Sequence, residues 1–325
     1  MTRPPRDALP VQRAAVPADW PAIEALLRVS LGKQAETEYA EFLRWKHRQN
    51  PFGDSPTWVA THRDQIVAVR AFLRWDFRRT SGEIVHAVRA VDTATDPAFR
   101  GRGIFNSLTT HAIAALQTEI DFVFNTPNDK SGPGYLKMGW RVLGAVPSVL
   151  HISPKPAALL RLARRTSSTD FWGLPTQAGM PIDEALADAG LRALLERPRG
   201  ELETNRTSDF LRWRYGFAPL GYRVMASDSG RGLAVFRLRR RGKAVEAAVQ
   251  EVHAVDDRGA KDALQAVTRA TAADYLLRLG CDGWNTRTGV TTTRQGPVVY
   301  WRPMCWTQPP TIGPWQLQLG DVELF

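Results

Sequence analysis

Two distant segments of this chain carry the same residues at the same spacing, and that repetition restricts the fold more than any other feature. Phe42-Leu-Arg-Trp45, followed by Pro51 and Gly53, returns as Phe210-Leu-Arg-Trp213, followed by Pro219 and Gly221, and an acid precedes each copy, Glu41 and Asp209. Each copy closes a helical pattern and leads into β-rich sequence, over residues 57–61 and 65–72 after the first and over 222–225 and 232–236 after the second. The apolar stripes of two unrelated helices would account for the Phe-Leu and Trp positions, but not for the shared proline and glycine. The repetition is therefore read as duplication of a whole lobe. At 325 residues the chain is long for one lobe and suits two, each able to bury its own core.

The register extends past the repeat. In the first half a long strand over 84–95 leads through Arg100-Gly101-Arg102-Gly103 into a helix over 104–116 and then the short strand Asp121-Phe-Val-Phe-Asn125. In the second, a strand over 245–255 leads through Asp256-Asp-Arg-Gly259 into a helix over 260–279 and a short strand over 282–285. The glycines of the first turn allow backbone conformations and a close ligand approach that a Cβ would block. The unpaired amides of the first helical turn and the positive end of the helix dipole then face an anion, which makes the turn a cradle for a pyrophosphate. The second turn has no glycine after Gly259 and is flanked by Asp256 and Asp257, whose charge opposes a phosphate.

The order strand, Pro97, Arg100-x-x-Gly103, helix resembles the acetyl-CoA-binding motif of the GNAT acyltransferase superfamily, Arg/Gln-x-x-Gly-x-Gly/Ala. Other segments agree with that resemblance, in the right order. Residues 11–27 resemble the opening strand and first helix of the family, with Asp19 placed to cap the helix. Asn128 and Tyr135-Leu-Lys-Met-Gly-Trp140 resemble its closing signature, with Trp140 where phenylalanine is usual. One departure is Phe105, at a position of glycine or alanine: its ring either narrows the approach to the pyrophosphate or points inward and leaves the amide in place. The resemblance implies an α+β fold of two tandem GNAT-like lobes, each a mixed, mostly antiparallel sheet flanked by helices. Residues 1–152 would form an acyl-CoA-binding lobe and 181–325 a degenerate lobe on the acceptor side that no longer holds CoA. Residues 153–180 would be a linker, since Ser153-Pro-Lys-Pro156 interrupts secondary structure.

The same resemblance assigns the site. CoA would lie in the gap between two diverging parallel strands, at 90–95 and 122–125. Ala94, Thr95 and Asn125 would line that gap, with Arg100, Gly101, Arg102, Gly103 and Ile104 at the pyrophosphate turn. Asn128 would hold the co-substrate, cap the next helix, or do both. Acyl transfer from a thioester to an amine needs the thioester positioned, the amine deprotonated, the carbonyl oxygen stabilised and the leaving thiolate protonated. Tyr135 resembles the tyrosine that gives this last proton; its other reading is a core tyrosine. Asp92, on the strand beside the gap, is the first candidate for the base, against a salt-bridged strand aspartate. Glu83, Asp321 and Glu323 are further candidates. Trp284, Trp301 and Trp306 line an acceptor pocket or belong to the core. Acetyl-CoA is the expected co-substrate and an amine the expected acceptor.

Composition bounds the alternatives. No apolar run approaches the roughly 18 residues that span a bilayer, and the start, Met1-Thr-Arg-Pro-Pro-Arg-Asp, lacks the apolar stretch of a signal peptide. A cytoplasmic protein with no membrane contact is expected, and with it reduced Cys281 and Cys305. No metal is expected, because the six histidines and two cysteines lack the close spacing of zinc ligands. The net charge of +10 offers nucleic acid as a partner. The densest basic run, Arg237-Leu-Arg-Arg-Arg-Gly-Lys243, instead reads as the solvated tip of a hairpin, so nucleic acid ranks below an amine acceptor. A CoA-binding module without catalysis is the other alternative.

Overall fold

A computed structural model describes residues 10–33, 36–153, 156–166, 169–280, 283–286, 290–306 and 315–323. In chain order the elements are β1 (Val11–Ala14), α1 (Trp20–Ser30), α2 (Tyr39–Arg48), β2 (Thr57–His62), β3 (Gln65–Arg79), β4 (Ile84–Thr95), α3 (Ile104–Leu116), β5 (Phe122–Asn125), α4 (Gly132–Lys137) and β6 (Arg141–Ile152). They continue with α5 (Pro156–Ala163), α6 (Ile182–Ala187), α7 (Ala189–Glu196), β7 (Leu202–Thr204), α8 (Ser208–Gly216), β8 (Arg223–Ala226), β9 (Gly232–Arg241), β10 (Ala244–Ala254), α9 (Asp257–Ala270), β11 (Tyr275–Leu279), β12 (Val290–Pro303) and α10 (Leu319–Val322).

The chain divides into two compact units, neither of them a continuous stretch. The first comprises residues 1–77, 84–142 and 299–309, the second 78–83, 143–298 and 310–325. In the first, β2 pairs antiparallel with β1 and β3, β4 runs parallel to β5, and β5 pairs antiparallel with the end of β12, Tyr300 facing Asn125. In the second, β9 pairs antiparallel with β8 and β10, β10 runs parallel to β11, and β11 pairs antiparallel with β6. In each unit the pairing is thus mixed and mostly antiparallel. The parallel pairs β4–β5 and β10–β11 need crossover connections, and α3 and α9 supply them.

Those helices also build the cores. Leu108, Ala112, Ile113 and Leu116 of α3 pack on Phe72, Val88 and Val123, while Ala260, Ala263, Leu264 and Val267 of α9 pack on Phe236, Val249 and Leu276. The repeated segment has the same use in both units. Its Phe, Leu and Trp are the buried face of α2 and of α8, and its glycines, Gly53 and Gly221, take positive φ of 108° and 64° where the chain turns after the helix.

Three expectations about organisation meet a different structure. Residues 143–152 lie in the second unit and 299–309 in the first, so no cut at 152 separates the two. The stretch 153–180 belongs to the second unit; it contains α5, whose Arg161 is ion-paired to Asp274 at 2.6 Å. The helix expected over 260–279 ends at Ala270, and Tyr275–Leu279 is instead the parallel strand β11, in the place expected for 282–285. Leucine favours helices, but a short apolar run buried on both faces suits a strand beside a parallel neighbour. Cys281 lies outside the described residues, and Cys305 is a free, exposed thiol. Among the described residues no helix is long and apolar enough to cross a membrane, and no group of His, Cys, Asp and Glu is placed to hold a metal ion.

Candidate active site

The first unit opens where its parallel strands part. β4 and β5 pair only from Ala87–Phe122 to Arg89–Phe124, after which β4 continues to Thr95. Asn125, the last residue of β5, is 3% exposed, and its Oδ1 has no hydrogen-bond partner among the described residues. A buried carbonyl oxygen without a donor costs roughly 1–3 kcal/mol unless a ligand or water supplies one. Beyond β4, Asp96 caps the short turn 97–99 by accepting from the Ala98 amide at 2.8 Å. Arg100 Nε donates back to the Thr95 carbonyl at 3.1 Å, and Arg102 lies over the Phe99 ring at 5.0 Å.

The glycines of this turn behave as their sequence requires. Gly101 and Gly103 have φ of 72° and 76°, and a Cβ at either would meet nothing within 4 Å. Gly103 is the N-cap of α3, and no side chain caps that helix. The first turn of α3 therefore presents backbone N–H groups and the positive end of its dipole to open space. An uncapped helix start, left-handed glycines and an orphaned acceptor at the end of β5 fit the pyrophosphate and the amide-bearing arm of a CoA ester. Ile104 is buried beneath the turn. Phe105 takes the inward of its two possible courses: its ring meets Tyr135 edge-on, centroids 5.7 Å apart, against the core.

The second unit has the same parting of strands and closes it. β10 and β11 pair from Glu246–Tyr275 to Ala248–Leu277, and β10 continues to Ala254. There the Val252 amide donates to Gln318 Oε1 at 2.8 Å, and the Val252 carbonyl accepts from Trp284 Nε1 at 3.1 Å. The helix start is closed too. Asp256 caps α9 by accepting from the Gly259 amide at 2.8 Å, and a Cβ on Gly259 would meet the Arg231 carbonyl at 2.4 Å. A carboxylate of the chain stands where an anion would bind.

Tyr135 and Asp92 are both buried, with different surroundings. The Tyr135 hydroxyl accepts from Arg70 Nη2 at 2.8 Å, and its ring packs against Trp140 at 5.0 Å. Asn128 acts as a cap: its Oδ1 accepts from the amides of Lys130 and Ser131 at 3.1 and 3.0 Å, ahead of α4. Asp92 has φ of 33°, and its Oδ2 lies 2.7 Å from Lys46 Nζ and 2.8 Å from His47 Nε2, both on α2. Burial pushes this carboxyl up, but Lys46 and His47 outweigh burial and hold it well below the usual carboxylate range. Burial pushes the His47 ring down, so Lys46 carries the counter-charge and the neutral imidazole donates its Nε2 proton.

This surrounding speaks against Asp92 as a base, because a carboxylate so stabilised takes up a proton poorly. The second unit strengthens the objection. Asp92 stands five residues beyond Ala87, where parallel pairing starts, and Glu251 stands five beyond Glu246 in β10. Two residues after the repeated tryptophans come His47 and Tyr215, and Tyr215 Oη donates to Glu251 Oε1 at 2.6 Å. The unit with the closed gap keeps the same contact, which marks it as a fastening of helix to strand. Lys46 and His47 escaped the sequence reading although they directly follow the repeat; comparing the two copies beyond Trp45 and Trp213 is the signal that finds them.

The remaining candidates are in structural use. Glu83 is exposed beside Arg79. Asp321 accepts from Thr204 at 2.7 Å and Arg206 at 3.0 Å, and Glu323 pairs with Arg237 and Arg239. The basic run is thus only partly a solvated tip: Arg237 and Arg239 are buried on β9, and the hairpin turns at Gly242 with φ of 60°. Trp301 and Trp306 belong to the first unit, where both pack on Phe122, at 6.3 and 5.8 Å.

An antiparallel sheet interrupted by one parallel, splayed junction, with an open glycine turn at its mouth, defines an acyltransferase fold of GNAT type. Residues 12–143 match the acetyltransferase (GNAT) domain family, and the chain carries a GNAT domain over that span. The chain is also similar in fold to solved structures. One is a protein of unknown function from Enterococcus faecalis, described as a probable N-acyltransferase, at 11% identity and a TM-score of 0.62, covering 91% of this chain and 73% of that one. Others are a GCN5-related N-acetyltransferase from Anabaena variabilis (12%, TM-score 0.59, 90% and 72%) and Eis1 from Mycobacterium abscessus (13%, TM-score 0.58, 91% and 74%). No curated protein matches the chain.

Proposed function

We propose that the first unit transfers an acetyl or short acyl group from acyl-CoA to an amine. The observation that carries this reading is the contrast between the two helix starts, α3 uncapped with open left-handed glycines and α9 capped by Asp256. The amides of the 101–105 turn would take the pyrophosphate, with Arg100 and Arg102 beside them, and Ala94, Thr95 and Asn125 would border the acyl-bearing arm. The acyl-CoA supplies an activated thioester. Tyr135 would hand its phenolic proton to the departing sulfur. A second reading, a CoA-binding module without turnover, draws support from the burial of Tyr135, which is 4% exposed.

Gly103→Val tests the site. It forces a branched residue into a left-handed conformation at the mouth, which costs about 1–3 kcal/mol of backbone strain, and it directs a side chain toward the phosphates. Calorimetry should show acetyl-CoA affinity falling tenfold or more in a variant whose melting still shows a folded protein; unchanged affinity refutes the assignment. Release of CoA thiol with a panel of amines separates transfer from binding alone.

A further inference from the structure

We propose that Arg70 is a positioning residue for Tyr135, fixing the direction of the phenolic proton and facing the charge that remains when the proton leaves. The inference rests on the acyl-transfer reading above. Arg70 sits on β3 between two core strand positions, Ala68 and Phe72, and is 1% exposed. Its guanidinium lies over the rings of Phe72, Phe105 and Tyr135 at 4.8, 5.6 and 5.5 Å. Its Nη2 donates to the Tyr135 hydroxyl at 2.8 Å, and its Nε has no partner among the described residues. No carboxylate of the described residues lies within ion-pair distance of it. Other buried arginines have their donors taken up by carboxylates or carbonyls: Arg206 pairs with Glu251 and Asp321, Arg239 with Glu246, and Arg214 donates from Nε and Nη2 to the Gly320 and Glu323 carbonyls as well as from Nη1 to the Tyr222 hydroxyl.

A guanidinium buried among aromatic rings without a counter-charge is costly, and cation–π contact offsets that cost only in part. Packing alone would be served as well by methionine or leucine, so a chain that retains a charge here has a use for it. The use follows from hydrogen-bond chemistry. Arginine has donors and no acceptor, so the phenol must accept in this contact, and its own single proton is left for another acceptor.

In the transfer step the amine nitrogen attacks the thioester carbonyl, the C–N bond forms and the C–S bond breaks. The sulfur takes the Tyr135 proton to give the free thiol. The phenolate so formed lies 2.8 Å from Arg70 Nη2, where the contact becomes a charge-assisted hydrogen bond. Water returns the proton to Tyr135 while the nitrogen releases its surplus proton to solvent, leaving amide and thiol.

The test uses the full chain, with an amine found by the panel above and two acyl donors. With acetyl-CoA, Arg70→Gln and Tyr135→Phe should each lower kcat by roughly 10²-fold, with CoA affinity and Tm near those of the unaltered protein. Arg70→Lys should recover part of the loss. The double variant should be no slower than Tyr135→Phe alone, because both changes remove one proton-transfer device. With 4-nitrophenyl acetate, whose leaving group departs without a proton, all these variants should keep most of their rate. Equal losses with both donors, or additive losses in the double variant, overturn the role of Arg70 and leave acyl transfer standing. An unaltered protein that binds CoA yet acylates no amine from either donor overturns the acyl-transfer reading, and Arg70's part falls with it.

Discussion

At the scale of single residues, buried titratable groups are this protein's most exacting feature. Burial, with Arg278 beside it, pushes the His151 imidazole down to about 4; its Nε2 accepts from Arg278 Nε at 3.2 Å. Burial and Arg199 push His253 down to about 4 against the opposing pull of Glu251. Both rings are neutral in the fold but protonate near ~6.5 in an unfolded chain. The unfolded chain therefore binds more protons between those values, and stability, complete above ~6.5, is lost as pH falls toward 4, by up to roughly 3 kcal/mol for each ring. The melting temperature should decline from pH 7 to pH 5, and His151→Asn should make that decline shallower. An identical slope in the variant removes His151 from the account. Residue by residue, what the sequence made legible was the backbone chemistry of the 100–103 turn, because glycine and helix starts have local signatures. Arg70 was not legible: nothing local in Gln-Ile-Val-Ala-Val-Arg-Ala-Phe names a partner for a lone arginine on the face it shares with Ile66, Ala68 and Phe72. Only the tertiary fold puts it under Tyr135. The partners of Asp92 were hidden for the same reason, since they stand on α2, 45 and 46 positions away.

At the scale of elements, α3 and α9 are two outcomes of one design. Each crosses over between parallel strands, and each buries one face against its sheet. They differ at the first turn, where glycines leave α3 open and Asp256 closes α9. Side chains of Gln318 and Trp284 occupy the strand edge that the second gap would otherwise leave bare. One acetyl-CoA should therefore bind per chain, and titration calorimetry that shows two equivalent sites contradicts this. The aspartates at the second turn were readable as a sequence feature, and the capping geometry of Asp256 gives the reason this turn opposes a phosphate. The plug was not readable, because Gln318 lies 66 residues from the strand it satisfies. The end of α9 was misread for an energetic reason: helix propensity in Tyr275-Leu-Leu-Arg-Leu279 is worth a few tenths of a kcal/mol per residue, far less than burial of that run beside β10.

At the scale of the molecule, the mixed α+β character was legible and the routing of the chain was not. The antiparallel partner of β5 comes from residues 300–303 and that of β11 from residues 148–152, so each unit takes a strand from the opposite half of the sequence. Local patterns reveal strands but not which neighbour a strand will choose. Residues 1–152 expressed alone should lack a completed sheet and show no cooperative thermal unfolding by circular dichroism. A sharp transition with dispersed amide resonances in that fragment would show that the first unit closes without 299–309.

That routing also sets an order of events during synthesis. Phe122–Asn125 leaves the ribosome early, yet the strand that covers its edge is made only when residue 303 has been added. Throughout that interval the nascent chain presents a row of unpaired backbone groups on an aromatic strand, Phe-Val-Phe-Asn, which is a template for pairing with other chains. For this protein, crowding by neighbouring nascent chains and slow elongation past residue 125 are the conditions under which yield should suffer first.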